Sequence, residues 1–250
     1  MSIYYDKNKQ MKLVFYENYS PNFSTQRRKV KNIKFIIIHY TGMNSENRAI
    51  NRLCNVNSKV SCHYFIKKNG QIILMVPEKY IAWHSGISKW RNYNLLNKYS
   101  IGIEIQNPGH LNKYTKFNSK QIRALIRLCS VLQKKYNISK KNVLGHSDVS
   151  YERKKDPGEK FPWQNLAKKN ISIWHDIDPK SLVLLRKSPT SNYEKKMFYK
   201  NLSKFGYHLK RNIKSQKLLT FAFQRRFRKK LVNGIIDKEC LIISKKLCKL

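Results

Sequence analysis

The chain has 250 residues, 41% hydrophobic and 12% aromatic, with 52 Lys and Arg against 14 Asp and Glu for a formal charge of +38. That apolar share excludes a disordered polymer and leaves room for one large domain or two, while no run approaches the ~20 apolar residues of a helical membrane span. The charge favours anionic partners, namely nucleic acid, an anionic membrane surface or an acidic polymer, yet the lysines are spread through a chain rich in Asn and Ile, as in proteins from AT-rich genomes.

Residues 1–30 are polar and aromatic without a period and read as an N-terminal extension, with Pro21-Asn22-Phe23-Ser24 as a loop wrapping the domain. Ile33 to Ile38 is a β-branched, nearly continuous apolar run, predicted as a central strand covered on both faces and ending at His39. Asn44-Ser45 offers an N-cap for a short amphipathic helix through Ala49, Leu53 and Cys54. Ser61 to Lys67 and Gln71 to Val76 flank Asn69-Gly70 and predict a hairpin. Residues 77 to 98 are a long loop holding Trp83-His84-Ser85-Gly86 and Trp90-Arg91-Asn92-Tyr93, and loops of that length tend to be functional.

Ser100 to Asn107 is a second strand closed by Pro108-Gly109, with Ile101, Ile103 and Ile105 on one face and Gly102, Glu104 and Gln106 on the other. A lone carboxylate in so apolar a strand points to solvent or into a site. Asn118 or Ser119 caps a helix to about Tyr136 with Ile122, Leu125, Ile126, Cys129 and Leu132 inward. Val143-Leu144 is a short strand leading into a polar loop from Gly145 to Trp163, and residues 176–192 read as a linker. Beyond it Tyr193 to Phe205, Leu218 to Lys230 and Lys238 to Leu247 are basic amphipathic helices, a unit over 193–250 large enough to fold alone.

Five cysteines without a CxxC spacing imply a reduced protein, and Met1 to Lys7 lacks the apolar core of an export signal. A catalytic zinc takes three N or O protein ligands and keeps one position open. Among the seven histidines, His39 at a strand end and His146 with Asp156 in the Gly145–Trp163 loop are one candidate set, with His63 and His84 as rival ligands. Glu104 is the candidate base and Lys154 the candidate cation for a developing oxyanion. Trp83, Trp90 and Tyr93 are candidates to line a cleft.

The stretches Ile37-Ile38-His39-Tyr40-Thr41, Ser61-Cys62-His63-Tyr64, Ala82-Trp83-His84-Ser85-Gly86, Ser100-Ile101-Gly102-Ile103-Glu104, Gly145-His146-Ser147-Asp148 and Arg153-Lys154-Lys155-Asp156-Pro157-Gly158 to Phe161-Pro162-Trp163 occur in this order. Together, over about residues 31–170, they resemble the zinc-dependent type-2 N-acetylmuramoyl-L-alanine amidases, relatives of the peptidoglycan recognition proteins. The resemblance implies an α/β fold, a mixed central β-sheet flanked by helices, in a catalytic domain over 31–175. It implies that His39, His146 and Asp156 hold one Zn²⁺, that Glu104 is the acidic catalytic residue and that Lys154 faces the tetrahedral intermediate. It also places His63 near the core, His84 near the cleft, and Asn107 and Arg153 near the peptide stem of the substrate, a peptidoglycan or muropeptide whose lactyl–alanine amide is cut; Trp83 is the further candidate for binding it.

The tail resembles a three-helix peptidoglycan-binding module at Leu202-Ser203-Lys204-Phe205-Gly206-Tyr207, Phe221 to Phe227 and Asn233-Gly234-Ile235-Ile236-Asp237. It departs from that pattern at Asn212 to Gln216, where the usual Gly-x-x-Asp-x-x-Thr is missing. The Arg-rich stretch 221–228 is alternatively a contact for nucleic acid or anionic lipid. A non-catalytic recognition protein of the same fold is the other alternative, disfavoured because all three ligands, Glu104 and Lys154 are present. The tail points to the bacterial cell envelope, the missing signal and free thiols to the cytoplasm.

Overall fold

The computed structural model describes residues 2–5 and 12–250. Among these, seven strands form one sheet: β1 (Ser2–Tyr5), β2 (Lys12–Glu17), β3 (Phe35–Tyr40), β4 (Tyr64–Ile66), β5 (Ile72–Leu74), β6 (Ser100–Ile105) and β7 (Val143–Gly145). Their order is β1-β2-β5-β4-β6-β3-β7. Pairing is parallel from β4 through β6 and β3 to β7 and between β2 and β5, and antiparallel in the β4–β5 hairpin and between β1 and β2. The expected mixed sheet is therefore present, with β6 and β3 side by side as its fifth and sixth strands and only β7 beyond them.

The helices are α1 (Glu46–Cys54), α2 (Ser119–Tyr136), α3 (His146–Val149), α4 (Trp163–Lys168), α5 (Pro179–Leu185), α6 (Asn192–Phe205), α7 (Ile213–Phe227) and α8 (Lys238–Leu247). Most start where a side-chain oxygen takes up an orphan backbone N–H. Ser45, Asp178, Asn212 and Asp237 do so, and Asn118 with Gln121 and Ser191 with Glu194 complete reciprocal boxes. None is long and apolar enough to cross a membrane.

Strand period splits the core. Ile36, Ile38, Ile101, Ile103, Ile105 and Val143 pack on one face against Ile122, Leu125, Leu128, Cys129 and Leu132 of α2. Each such side chain, fully buried, contributes about 1.5–3 kcal/mol. On the other face Phe35, Ile37 and Leu144 join Trp90 and Leu96 to Phe198, Leu202, Phe223 and Phe227 of the tail. α1 covers the hairpin on its own patch of Ala49, Leu53, Phe65 and Ile73.

Several expectations change here. The N-terminal extension supplies β1 and β2, and Phe23–Ser24 pairs with Ile81–Ala82 rather than forming a plain loop; Met1 and residues 6–11 lie outside the described residues. Residues 77–98 hold two short strand pairings instead of one bare loop. The linker at 176–192 contains α5, whose Leu182 is buried with the tail and whose end carries Arg186, paired to Glu239 of α8 at 2.7 Å. Three helices do fill 192–247, but their core runs unbroken into that of the sheet. α7 starts earlier and ends earlier than the Leu218–Lys230 expectation. The arginines at its carboxyl end are not a free basic face: Arg226 and the capping Arg228 are both 2% exposed, paired with Asp148 and Asp237. Trp90 does not line a cleft, because it is fully buried against Phe205, Tyr207 and Gly206. Tyr93 packs edge-on against Phe35 and Tyr99.

Candidate active site

The site forms at the carboxyl ends of the parallel strands, where open α/β sheets bind ligands. His39 sits one residue before the end of β3, and Glu104 lies opposite it in register on β6. Both therefore project from the same face as Ser100, Gly102 and Ile37. β7 runs directly into α3, so His146 is delivered at the first turn of a four-residue helix. Asp156 returns beside it, its carbonyl accepting the Ser147 N–H at 2.8 Å.

His39 Nδ1 lies 2.9 Å from His146 Nδ1 and 3.1 Å from Asp156 Oδ2, and His146 Nδ1 lies 3.1 Å from the same oxygen. All three side chains are buried, and theirs is the group among the described residues able to hold a metal ion. Their near-equilateral triangle resembles one face of a tetrahedron around a ligand distance of ~2.0–2.1 Å, whose edge is about 3.3 Å. The two ligand rings are steadied from behind. A ring that offers Nδ1 to a cation carries its proton on Nε2, so His39 donates to His84 Nδ1 at 3.0 Å and His146 to the Ser85 carbonyl at 3.1 Å. His84 passes the chain on to Ser100 Oγ at 3.2 Å, and that hydroxyl donates to the Leu96 carbonyl at 2.6 Å.

The rival ligands are thus occupied elsewhere. His84 has both ring nitrogens engaged in that relay. His63 is fully buried, with Nδ1 accepting from Gly102 N–H at 3.0 Å and Nε2 near Arg28 and the Tyr80 carbonyl.

Burial, reinforced by the neighbouring His146, lowers His39 to about 4, so it stays neutral and free to donate a lone pair. Burial alone would raise Asp156, but His146 and His39 outweigh it and hold the carboxyl well below its usual range. Glu104 moves the other way, up to about 8, through burial and then the charge of Asp156, with Lys154 opposing. Among the described residues its Oε2 is buried without a hydrogen-bond partner. A carboxylate that is high-titrating, unsatisfied and beside the ligand triangle is equipped to take and return a proton.

These groups open on a cleft of about 590 Å³ whose walls include Trp83, His84, Glu104, His110, Arg52, Arg153, Lys154 and Lys155. Arg153 is partly committed, donating to the Ser85 and Ile87 carbonyls at 3.1 and 2.6 Å. Asn107 does not reach the cleft: it is 2% exposed, its amide donates to the Thr115 carbonyl and its oxygen accepts from Gly109 N–H. It shapes the turn after β6.

Sequence reasoning missed His110, whose Nδ1 meets Tyr40 OH at 2.8 Å and whose Nε2 meets Glu159 Oε2 at 3.0 Å. It also missed Asp148, although that residue stands inside the Gly-His-Ser-Asp stretch. Its three partners come from separate parts of the chain.

The profile of the N-acetylmuramoyl-L-alanine amidase family matches residues 29–159. The chain is 35% identical over 230 residues to the N-acetylmuramoyl-L-alanine amidase AmiD of Escherichia coli K12, covering 86% of this chain and 82% of that one. Its structure is similar to that of E. coli AmiD in complex with the substrate anhydro-N-acetylmuramic acid-L-Ala-D-gamma-Glu-L-Lys, with a TM-score of 0.77, 31% identity and coverage of 99% and 97%. It is also similar to AmpDh3 from Pseudomonas aeruginosa in complex with anhydromuramic pentapeptide, with a TM-score of 0.76, 28% identity and coverage of 90% and 94%.

Proposed function

The chain belongs to the N-acetylmuramoyl-L-alanine amidase family, and from that membership we propose a zinc-dependent hydrolase that cuts muropeptides during cell-wall turnover. The bond is the amide between the lactyl group of N-acetylmuramic or 1,6-anhydro-N-acetylmuramic acid and L-alanine. The observation that carries the reading is the buried His39–His146–Asp156 triangle beside Glu104, whose Oε2 has no hydrogen-bond partner among the described residues.

The residues present fit zinc: two neutral imidazoles and one carboxylate, each imidazole backed by a hydrogen bond from its far nitrogen. Bound there, zinc supplies a Lewis acid for the scissile carbonyl and lowers the pKa of water toward neutrality. Glu104 takes a proton from the attacking water as its oxygen bonds the carbonyl carbon. It then returns the proton to the alanine nitrogen as the C–N bond breaks. Its buried Oε2, with no hydrogen-bond partner among the described residues, is free for both halves of that transfer. Lys154, on the cleft wall, faces the oxyanion with a positive charge. Arg52, Arg153 and Lys155 make the remaining wall cationic, a match for the carboxylates of a peptide stem. Trp83 gives that wall its flat apolar surface.

Mass spectrometry of products from intact sacculi and from soluble anhydromuropeptides, with and without chelator, tests the proposal. Free stem peptide released from either substrate, abolished by chelator and restored by zinc, is the expected result. No release from either substrate by zinc-loaded protein refutes it.

A further inference from the structure

A cluster behind the metal loop has no part in the chemistry above. Asp148, Tyr207 and Arg226 are 1%, 2% and 2% exposed, and they come from α3, the turn after α6 and α7 respectively. Asp148 Oδ2 accepts from the Gly145 N–H at 2.7 Å and from Arg226 Nη1, and its Oδ1 accepts from Tyr207 OH at 2.6 Å. Arg226 Nη2 donates to the Val143 carbonyl at 3.1 Å, and the guanidinium lies 4.3 Å from the centre of the Trp163 ring. One buried carboxylate thus gathers the end of β7, the start of α3 and two side chains of the tail.

What that cluster holds still is the turn carrying His146. α3 has four residues, too few to set its own direction, so its orientation comes from outside contacts. His146 is its first residue, and Ser147 N–H ties it to the Asp156 backbone at 2.8 Å. Displacing Asp148 therefore displaces two corners of the triangle at once. The neighbouring Arg225 approaches Glu159 at 4.0 Å, and through His110 that contact continues to Tyr40, the residue after His39. Consecutive arginines of α7 brace the loop on both sides.

We propose that the helical tail is part of the framework of the metal site, with Tyr207 and Arg226 as positioning residues that fix His146 and Asp156 by holding Asp148. The inference rests on the metal-site reading of the preceding section. It assigns the tail a task inside the molecule, separate from any contact with glycan.

The test uses full-length protein. Tyr207→Phe removes one oxygen from the cluster, and Arg226→Met removes the cation while keeping a side chain of similar length. Arg186→Met is the control: it breaks the ion pair between the end of α5 and Glu239 of α8 and removes none of the hydrogen bonds to Asp148. Zinc affinity is measured by competition with a chromogenic chelator, the visible spectrum is recorded on cobalt-substituted protein, and kcat and KM are determined separately. Tyr207→Phe is expected to bind zinc about 10-fold more weakly, at the lower end of outer-shell effects. Its cobalt bands shift and kcat falls more than KM rises. Arg226→Met shows the same changes, larger; should it fail to fold, Tyr207→Phe carries the test. The proposal is overturned by a folded Tyr207→Phe with wild-type zinc affinity and cobalt spectrum, or by a control that weakens zinc equally. Wild-type protein that binds no zinc brings down the metal-site reading itself, so the two failures are told apart.

Discussion

Gly102→Ala is the sharpest probe of how the site is held. A Cβ at that position would lie 2.7 Å or less from Cγ, Cδ2 and Nδ1 of the His84 ring. Ordinary carbon contacts begin near ~3.5 Å, so the ring must retreat by about 1 Å. Retreat breaks the contacts that hold the ring, since His84 spans from His39 Nε2 to Ser100 Oγ and packs edge-on against His63. Gly102 is not among the positive-φ glycines, so the backbone accepts alanine and the conflict is purely one of space. Overpacking of this kind costs about 1–3 kcal/mol, a fall in Tm of roughly 2–12 °C for a chain of this length. Loss of the His84 support to His39 adds a drop in zinc affinity of about 10–100-fold. Calorimetry of the metal-free protein and chelator competition measure the two effects. In a His84→Ala background the added methyl meets an empty space, so Gly102→Ala should then cost under about 0.5 kcal/mol. Equal penalties in both backgrounds, or an unchanged Tm and zinc affinity in the single variant, would refute the reasoning.

Asp156→Ala should lose zinc binding and turnover together, since it removes one corner of a three-atom site; tight stoichiometric zinc binding in a titration would contradict this. Glu104→Gln should retain zinc and fold while kcat falls by about 10²–10⁴-fold, the usual worth of a positioned acid–base group. The same variant carries a pH signature in the metal-free protein. Glu104 has a folded pKa raised from 4.5 to about 8, so its contribution to stability is full below the unfolded value and is lost as pH rises through the folded one. Wild type should therefore match Glu104→Gln near pH 4 and become less stable than it by pH 8, by at most about 5 kcal/mol. Parallel Tm profiles across that window would show that Glu104 is not desolvated.

Local signals carried much of the fold. The β-branched run before His39, the Asn69-Gly70 hairpin and the Asn118–Gln121 box all act between near neighbours, and each produced the expected element. α5 was legible too, since Asp178 at the N-cap and Pro179 at the first turn are standard start signals, but the Pro- and Ser-rich surroundings read as a linker. β1 and β2 stand at one end of the strand order, and residues 1–30 carry no strand period in the sequence that would have announced them. The site itself is non-local. His39 and His146 are 107 residues apart, and spacing alone could not choose them over His63 and His84; only the family's motif order did. Arg226 read as part of a contact for nucleic acid or anionic lipid because its partner Asp148 lies 78 residues upstream, and Trp90 read as a cleft residue because Gly206, which makes room for its indole, lies in the tail. Charge neutralised across such distances leaves no periodicity to read.

The clamp on Asp148 also bears on how the molecule comes off the ribosome. Synthesis delivers His39 first, the Gly145–Trp163 loop much later and α7 near the end. Until Arg226 and Tyr207 emerge, the turn bearing His146 is without its anchors, and Phe35, Ile37 and Leu144 are without the tail side chains that cover them. The cover of that sheet face and the two side-chain partners of Asp148 from the tail are therefore completed only after α6 and α7 have been made.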